Sequence, residues 1–226
     1  EVESSANSLT RIAATRPELL AGDFAVLMEP TSAAVEGGCQ GTLRFTVTTS
    51  GRAAHSARAW MGHNAIHDAA DVLARLRAHE AEQPEVDGLR YHEGLNAVAI
   101  SGGIAGNVIP DTCTISVNYR FAPHRSVQQA MDYCRAVLPD HELTFVDAAA
   151  GARPGLDLPA AADFVAAVGG QPTAKFGWTD VARFSALGIP AVNFGPGNPS
   201  KAHADDEFCP VVDLFTCRDA LVRWLG

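Results

Sequence analysis

The order of strand-like and helix-like segments between residues 42 and 147 constrains this chain most. Thr42-Leu43-Arg44-Phe45-Thr46-Val47-Thr48 alternates with a period of two, the mark of a half-buried strand. A helical repeat follows, in which Ile66, Ala69, Ala70, Leu73 and Leu76 mark one face and Asn64 is placed to cap the first turn. Two strands over 95–101 and 113–121 are separated by the loop 102–110. A second helix is predicted over 126–137, with Val127, Ala130, Met131 and Cys134 facing inward, and a last strand covers 142–146. This β-α-β-β-α-β order is the ferredoxin-like signature and predicts an antiparallel sheet with both helices on one face.

The residues on either side read differently. Helical patterns at 7–14, 160–168, 181–187 and 214–225 alternate with short apolar strands at 25–28 and 191–194, which is α/β architecture around a parallel or mixed sheet. The simplest arrangement is an insertion. Residues 1–40 and 150–226 form the two segments of an α/β unit, and 41–149 form an α+β unit placed between them. Both boundaries are glycine-rich, at Glu36-Gly37-Gly38 and at Ala150-Gly151-Ala152-Arg153-Pro154-Gly155, as a hinge would require.

A formal net charge of −9 argues against a nucleic-acid partner, which is bound through basic surface. No uninterrupted apolar run approaches the roughly 20 residues of a membrane helix, and the opening residues resemble no signal peptide. The five cysteines are scattered without a Cys-x-x-Cys pair, so neither a disulfide framework nor a thiolate zinc site is indicated. They read as reduced thiols of a cytoplasmic protein. With only two lysines, the positive charge is nearly all arginine, whose fork suits carboxylate recognition, although a GC-rich genome gives the same bias.

Several residues carry chemistry. Glu29 follows the apolar run Phe24-Ala25-Val26-Leu27-Met28, which puts a carboxylate at the crevice edge where open α/β sheets bind ligands; a loop or capping carboxylate is the alternative. His203 lies in a loop rich in glycine and proline, too short of apolar residues to bury a core histidine, and neutral imidazole is the commonest zinc ligand. Glu1 adds a carboxylate that by itself reads as solvated. His55 is either a surface histidine or a donor to a developing oxyanion, should the insertion close over the site. His63 and His67 have helical metal-binding spacing but no third ligand, and Asp68 and Asp71 read as solvated charges. Asn107 sits at a loop tip, Arg120 ends a strand, and Thr179 or Asp180 caps a helix bearing Arg183 whose N-terminus can bind an anion. If the arginines converge, the substrate carries a carboxylate.

Together these residues resemble the dinuclear-zinc amidohydrolases that include acetylornithine deacetylases, aminoacylases and succinyl-diaminopimelate desuccinylases. The resemblance runs from Glu1 to Gly226. It rests on Glu1, Glu29-Pro30, the stretch Gly51 to Ser56 leading to Gly62-His63-Asn64-Ala65-Ile66, Asn107-Val108-Ile109-Pro110, Asn118-Tyr119-Arg120-Phe121, Thr179-Asp180, Arg183, and Gly195-Pro196-Gly197 ahead of His203. The runs Gly38 to Arg44, Ala54 to Arg58 and Lys175 to Asp180 look closest to actinobacterial desuccinylases.

The resemblance implies two zinc ions per intact site, with cobalt as a substitute. Glu29 would hold one, and Glu1 and His203 would be non-bridging ligands of the other. It implies a homodimer formed through the inserted unit, with His55 stabilising the oxyanion in the partner's site and Asn107, Arg120, Thr179 and Arg183 holding an N-acyl amino-acid substrate. The expected reaction is hydrolysis of N-succinyl-LL-2,6-diaminopimelate. Acetylornithine or another N-acyl amino acid is the alternative substrate, and a non-catalytic dimerisation module is an alternative of another class. The family's His-x-Asp motif, bridging aspartate and general-base glutamate precede the position of Glu1, so the chain is expected to be an incomplete form without turnover of its own.

Overall fold

The computed structural model describes residues 7–202 and 204–226, so Glu1 and His203 lie outside the described residues. In chain order the elements are α1 (Ser8–Thr15), β1 (Ala25–Leu27), β2 (Glu36–Gly37), β3 (Gly41–Ser50), β4 (Ala54–His55), α2 (Ala65–Ala78), β5 (Glu85–Val86), β6 (Leu89–Arg90) and β7 (Gly94–Gly102). They continue with β8 (Val108–Ile109), β9 (Thr112–Phe121), α3 (Val127–Val137), β10 (Leu143–Ala149), α4 (Pro159–Val168), β11 (Thr173–Ala174), α5 (Val181–Ala186), β12 (Ala191–Asn193) and α6 (Val211–Leu225). Among the described residues no helix is long and apolar enough to cross a membrane.

The middle of the chain forms an antiparallel sheet in the order β10-β3-β9-β7, which is the strand order of a ferredoxin-like unit. Leu43, Phe45 and Val47 of β3 and Ile115, Val117 and Tyr119 of β9 alternate into a core with α2 and α3. The helices start where capping chemistry is available. The Asn64 side-chain oxygen accepts from Ile66 N at 2.9 Å, and Ser126 and Gln129 form a reciprocal capping box. The inward stripe of α2 differs from the sequence expectation: Ala65, Ala69, Val72 and Leu76 are buried, while Ile66 and Leu73 are 39% and 37% exposed. Small residues at 65 and 69 allow close approach to the sheet and turn the larger Ile66 and Leu73 outward.

The flanking segments build a mixed sheet, β1-β12-β2-β11, in which β1 and β12 are parallel and β2 runs antiparallel to β12. Val26 and Val192 face the aromatic cluster of Phe164, Phe194 and Trp224 under α4 and α6, whereas Leu27 and Ala191 pack with Val181 of α5. Helices thus cover both faces, as parallel strands require.

The glycine-rich boundaries carry hydrogen bonds of their own. Cys39 and Ala152 exchange both backbone hydrogen bonds at 3.0 Å. Gly151 lies so close that an added Cβ would sit 2.5 Å from the Cys39 carbonyl oxygen. The β5–β6 hairpin adds to them: the Tyr91 hydroxyl donates to Gly37 O at 2.9 Å, and Arg153 forms a two-bonded ion pair with Asp87.

Candidate active site

Strands β1 and β12 are parallel neighbours, so the segments following them emerge at the same edge of the sheet. Glu29-Pro30-Thr31 leaves β1 there, and Gly195-Pro196-Gly197 leaves β12. The two are sewn together. Gly195 N donates to the Thr31 hydroxyl at 3.0 Å, Thr31 Oγ1 donates to Ala34 O at 2.6 Å, and Ala33 N reaches Gly195 O at 2.9 Å. Ser32 and Ala33 have φ of +54° and +56°, a left-handed conformation that non-glycine residues adopt only under constraint. Lys175 approaches from β11: its ammonium is 2.7 Å from Glu36 Oε2 and donates to Pro30 O at 3.3 Å.

Thr179 and Asn193 lie buried beside this edge. The Thr179 hydroxyl donates to Asn193 Oδ1 at 2.8 Å, and Asn193 Nδ2 donates to Gly38 O at 3.0 Å. The anion site expected at the start of α5 is already filled by chemistry of the chain's own. The helix has six residues, and Asp180 supplies no capping hydrogen bond. Its carboxylate instead accepts from Asn7 Nδ2 at 3.1 Å and from Arg183 Nε. Arg183 is thereby partly neutralised, and its guanidinium stacks over the Trp178 ring at 5.1 Å. Its terminal nitrogens are left for a further acceptor.

Arg120 projects from the polar face of β9 near the junction, half-buried, with no hydrogen bond or ion pair to the described residues. Burial and then the neighbouring Arg44 push its pKa down, so an anion arriving beside it would relieve both effects. His55 and Asn107 are at the opposite end of the same sheet. They come together through the β4–β8 ribbon, where His55 pairs with Val108 and Ser56 N donates to Asn107 O at 2.9 Å. From Arg120 to Thr112 the strand runs about 26 Å at ~3.3 Å per residue, and the ribbon lies beyond it. Within one chain the structure therefore separates His55 and Asn107 from Arg120. The His55 ring accepts from Ala57 N through Nδ1 at 3.0 Å, so a neutral imidazole carries its proton on Nε2.

Lys175, Glu36, Asn193 and the strained pair Ser32–Ala33 were not apparent as site residues from sequence patterns. The available signals were a lone lysine and a lone asparagine set within apolar runs. His63 is engaged with Asp68 at 2.6 Å, consistent with solvated charges at the start of α2. Among the described residues no three His, Cys, Asp or Glu side chains converge on a metal position. Of the three expected ligands, Glu29 alone falls among the described residues. A carboxylate on a pinned loop at the carboxyl edge of two parallel strands fits an oxygen ligand of zinc.

Residues 38–145 match the M20 peptidase dimerisation domain. Over its whole length the chain is 52% identical to a protein of Mycobacterium tuberculosis provisionally named succinyl-diaminopimelate desuccinylase, of which it covers 64%. It is 45% identical, again over its whole length, to a succinyl-diaminopimelate desuccinylase of Corynebacterium glutamicum, of which it covers 63%. The chain thus spans less than two thirds of the length of these relatives. An M20 family metallo-carboxypeptidase from Sulfolobus solfataricus shares the fold with a TM-score of 0.70 at 15% identity, covering 96% of this chain and 66% of that one. A dipeptidase from Saccharomyces cerevisiae does so with a TM-score of 0.71 at 12% identity, covering 98% and 63%. Similarity to desuccinylases thus runs the whole length of the chain, its residues 38–145 match an M20 peptidase dimerisation domain, and its fold is shared with solved peptidases.

Proposed function

We propose that the protein containing this chain hydrolyses the amide of N-succinyl-LL-2,6-diaminopimelate to succinate and the diamine, acting as a homodimer in the cytoplasm, where its cysteines stay reduced. Residues 1–40 and 150–226 form the catalytic unit, and 41–149 the unit that dimerises. Glu29, with Glu1 and His203, would hold zinc or cobalt, which in such sites activates water and polarises the amide carbonyl. Arg120 and Arg183 take substrate carboxylates, and Thr179 borders the crevice through its bond to Asn193. The end-to-end identity to desuccinylases favours the succinyl substrate over acetylornithine or another N-acyl amino acid.

The observation that carries the dimeric reading is the position of His55. Its Nε2–H has no acceptor among the described residues, and the ribbon that carries it lies about 26 Å or more from Arg120. A second copy brings the two together. The β7 edge, with Val98 and Ile100 exposed, and the outward Ile66 and Leu73 of α2 provide an apolar face for that contact.

The test uses a protein extended to the length of the relatives. His55→Ala is expected to lower kcat roughly 100-fold, the usual cost of one oxyanion donor, with dimer mass and metal content unchanged. Mixing it with His203→Ala should restore part of the activity through heterodimers. No recovery after verified subunit exchange would overturn the shared site. Cleavage of acetylornithine far ahead of the succinyl substrate would overturn the substrate assignment.

A further inference from the structure

Lys175 is one of only two lysines in the chain and is 8% exposed. Withdrawing an ammonium from water costs several kcal/mol unless its partners compensate, and a strand end of this kind would accept an apolar residue at less cost. Its ion pair with Glu36 joins two strands of two residues each, β11 and β2, which also share the backbone bond from Lys175 N to Gly37 O at 3.3 Å. A staple between short strands would account for that pair alone. It does not account for the second contact, to the carbonyl of Pro30 at 3.3 Å.

The Pro30 carbonyl belongs to the segment between β1 and β2, where Ser32 and Ala33 are held in the left-handed region. Two consecutive non-glycine residues persist there only when their surroundings over-determine the backbone. Three fastenings do so from the β12 side: Thr31 on Gly195, Ala33 N on Gly195 O, and Ser32 N on Gly197 O at 2.7 Å. Lys175 supplies a fourth from the β11 side, one residue beyond Glu29. We propose that Lys175 is a positioning residue: its ammonium, neutralised by Glu36, grips the Pro30 carbonyl and keeps the strained loop in the shape that aims Glu29 into the crevice. The inference rests on the reading of Glu29 as a metal ligand given above, and its first readout is independent of that reading.

The design separates stapling from positioning. Lys175→Met alone leaves Glu36 buried beside an apolar side chain and is expected to lower the melting temperature. The double variant Lys175→Met/Glu36→Met removes both charges, and stability should return toward wild type, as replacement of a buried pair by apolar side chains usually allows. The Pro30 carbonyl still lacks its donor in that variant. Amide exchange at Ser32, Ala33 and Ala34 should therefore stay about tenfold or more faster than in wild type. In the protein extended to the relatives' length, cobalt(II) should bind roughly 10- to 100-fold more weakly, the range typical of lost support to a metal ligand. Lys175→Arg, which can reach both acceptors, should restore part of each.

Recovery of melting temperature, amide exchange and cobalt affinity together in the double variant would overturn the proposal and leave Lys175 as a staple. Unchanged cobalt affinity in Glu29→Gln would overturn the metal-ligand reading instead, and the exchange rates would still decide whether Lys175 holds the loop.

Discussion

At the scale of single residues, one buried carboxylate, that of Glu93, shows how a charge is held inside this fold. It is 5% exposed and accepts from the Tyr119 hydroxyl at 2.6 Å, from Ala122 N at 2.9 Å and from Arg125 Nε at 3.2 Å. Burial, then the hydrogen bond to Glu93, raises the pKa of the Tyr119 phenol well above its ordinary value of about 10. A group whose folded pKa is raised lends stability below its unfolded pKa and loses it as pH climbs toward the folded value. The melting temperature should thus show no loss from this tyrosine between pH 7 and 9 and fall above about pH 10. Tyr119→Phe should flatten that alkaline slope while lowering stability at pH 7 by about 1–2 kcal/mol, because Glu93 Oε2 then loses the tyrosine donor. Thermal melts across pH 7–11 on both proteins provide the check, and an identical slope would count against the assignment.

At the scale of elements, long periodic segments could be read from the chain and two-residue ones could not. Strands β3, β7, β9 and β10 and helices α2 and α3 follow from alternation and capping residues because each spans enough residues to show a period. Strands β2 and β11 have two residues each, and pairing across the fold defines them more than any local pattern. The β5–β6 hairpin did leave a trace, since Asp87-Gly88 takes positive φ at both positions, the demand of a two-residue hairpin turn. The same limit applies to the site. Glu29 is marked by the end of an apolar run, whereas Asn193 and Lys175 owe their roles to residues more than 100 positions away. Where a cap is local, its cost is predictable. Ser126→Ala removes the acceptor for Gln129 N, now at 3.2 Å, and should cost about 1 kcal/mol in urea denaturation. A loss near zero would mean that α3 is held by its packing alone.

At the scale of the whole molecule, the two sheets meet at a closely packed junction. Gly151→Ala would place a methyl carbon 2.5 Å from Cys39 O and 2.7 Å from Gly41 N, backbone atoms that cannot yield. The expected loss is about 1–3 kcal/mol, the usual range for overpacking, and limited proteolysis should then cut near residues 38–41 or 150–153 before anywhere else in β3 or β10. A variant as stable and as resistant as wild type would show that the junction can relax.

The Cys39–Ala152 pairing also bears on the order in which the chain folds. Strand β2 cannot meet β11 and β12 until the polypeptide between them has been gathered in, and for an unstructured loop of roughly 135 residues or more that closure costs about 4 kcal/mol of entropy. Once the β10-β3-β9-β7 sheet has formed, its two ends already lie against each other at the bridge, and the long loop is reduced to a single contact. The antiparallel sheet is therefore expected to form first and the mixed sheet to assemble on it. In pulse-labelled refolding, amides of β3 and β9 should gain protection ahead of those of β12. The Glu29 crevice would then be the last part of the molecule to acquire its shape during synthesis, and the one most dependent on everything between its two halves having folded correctly.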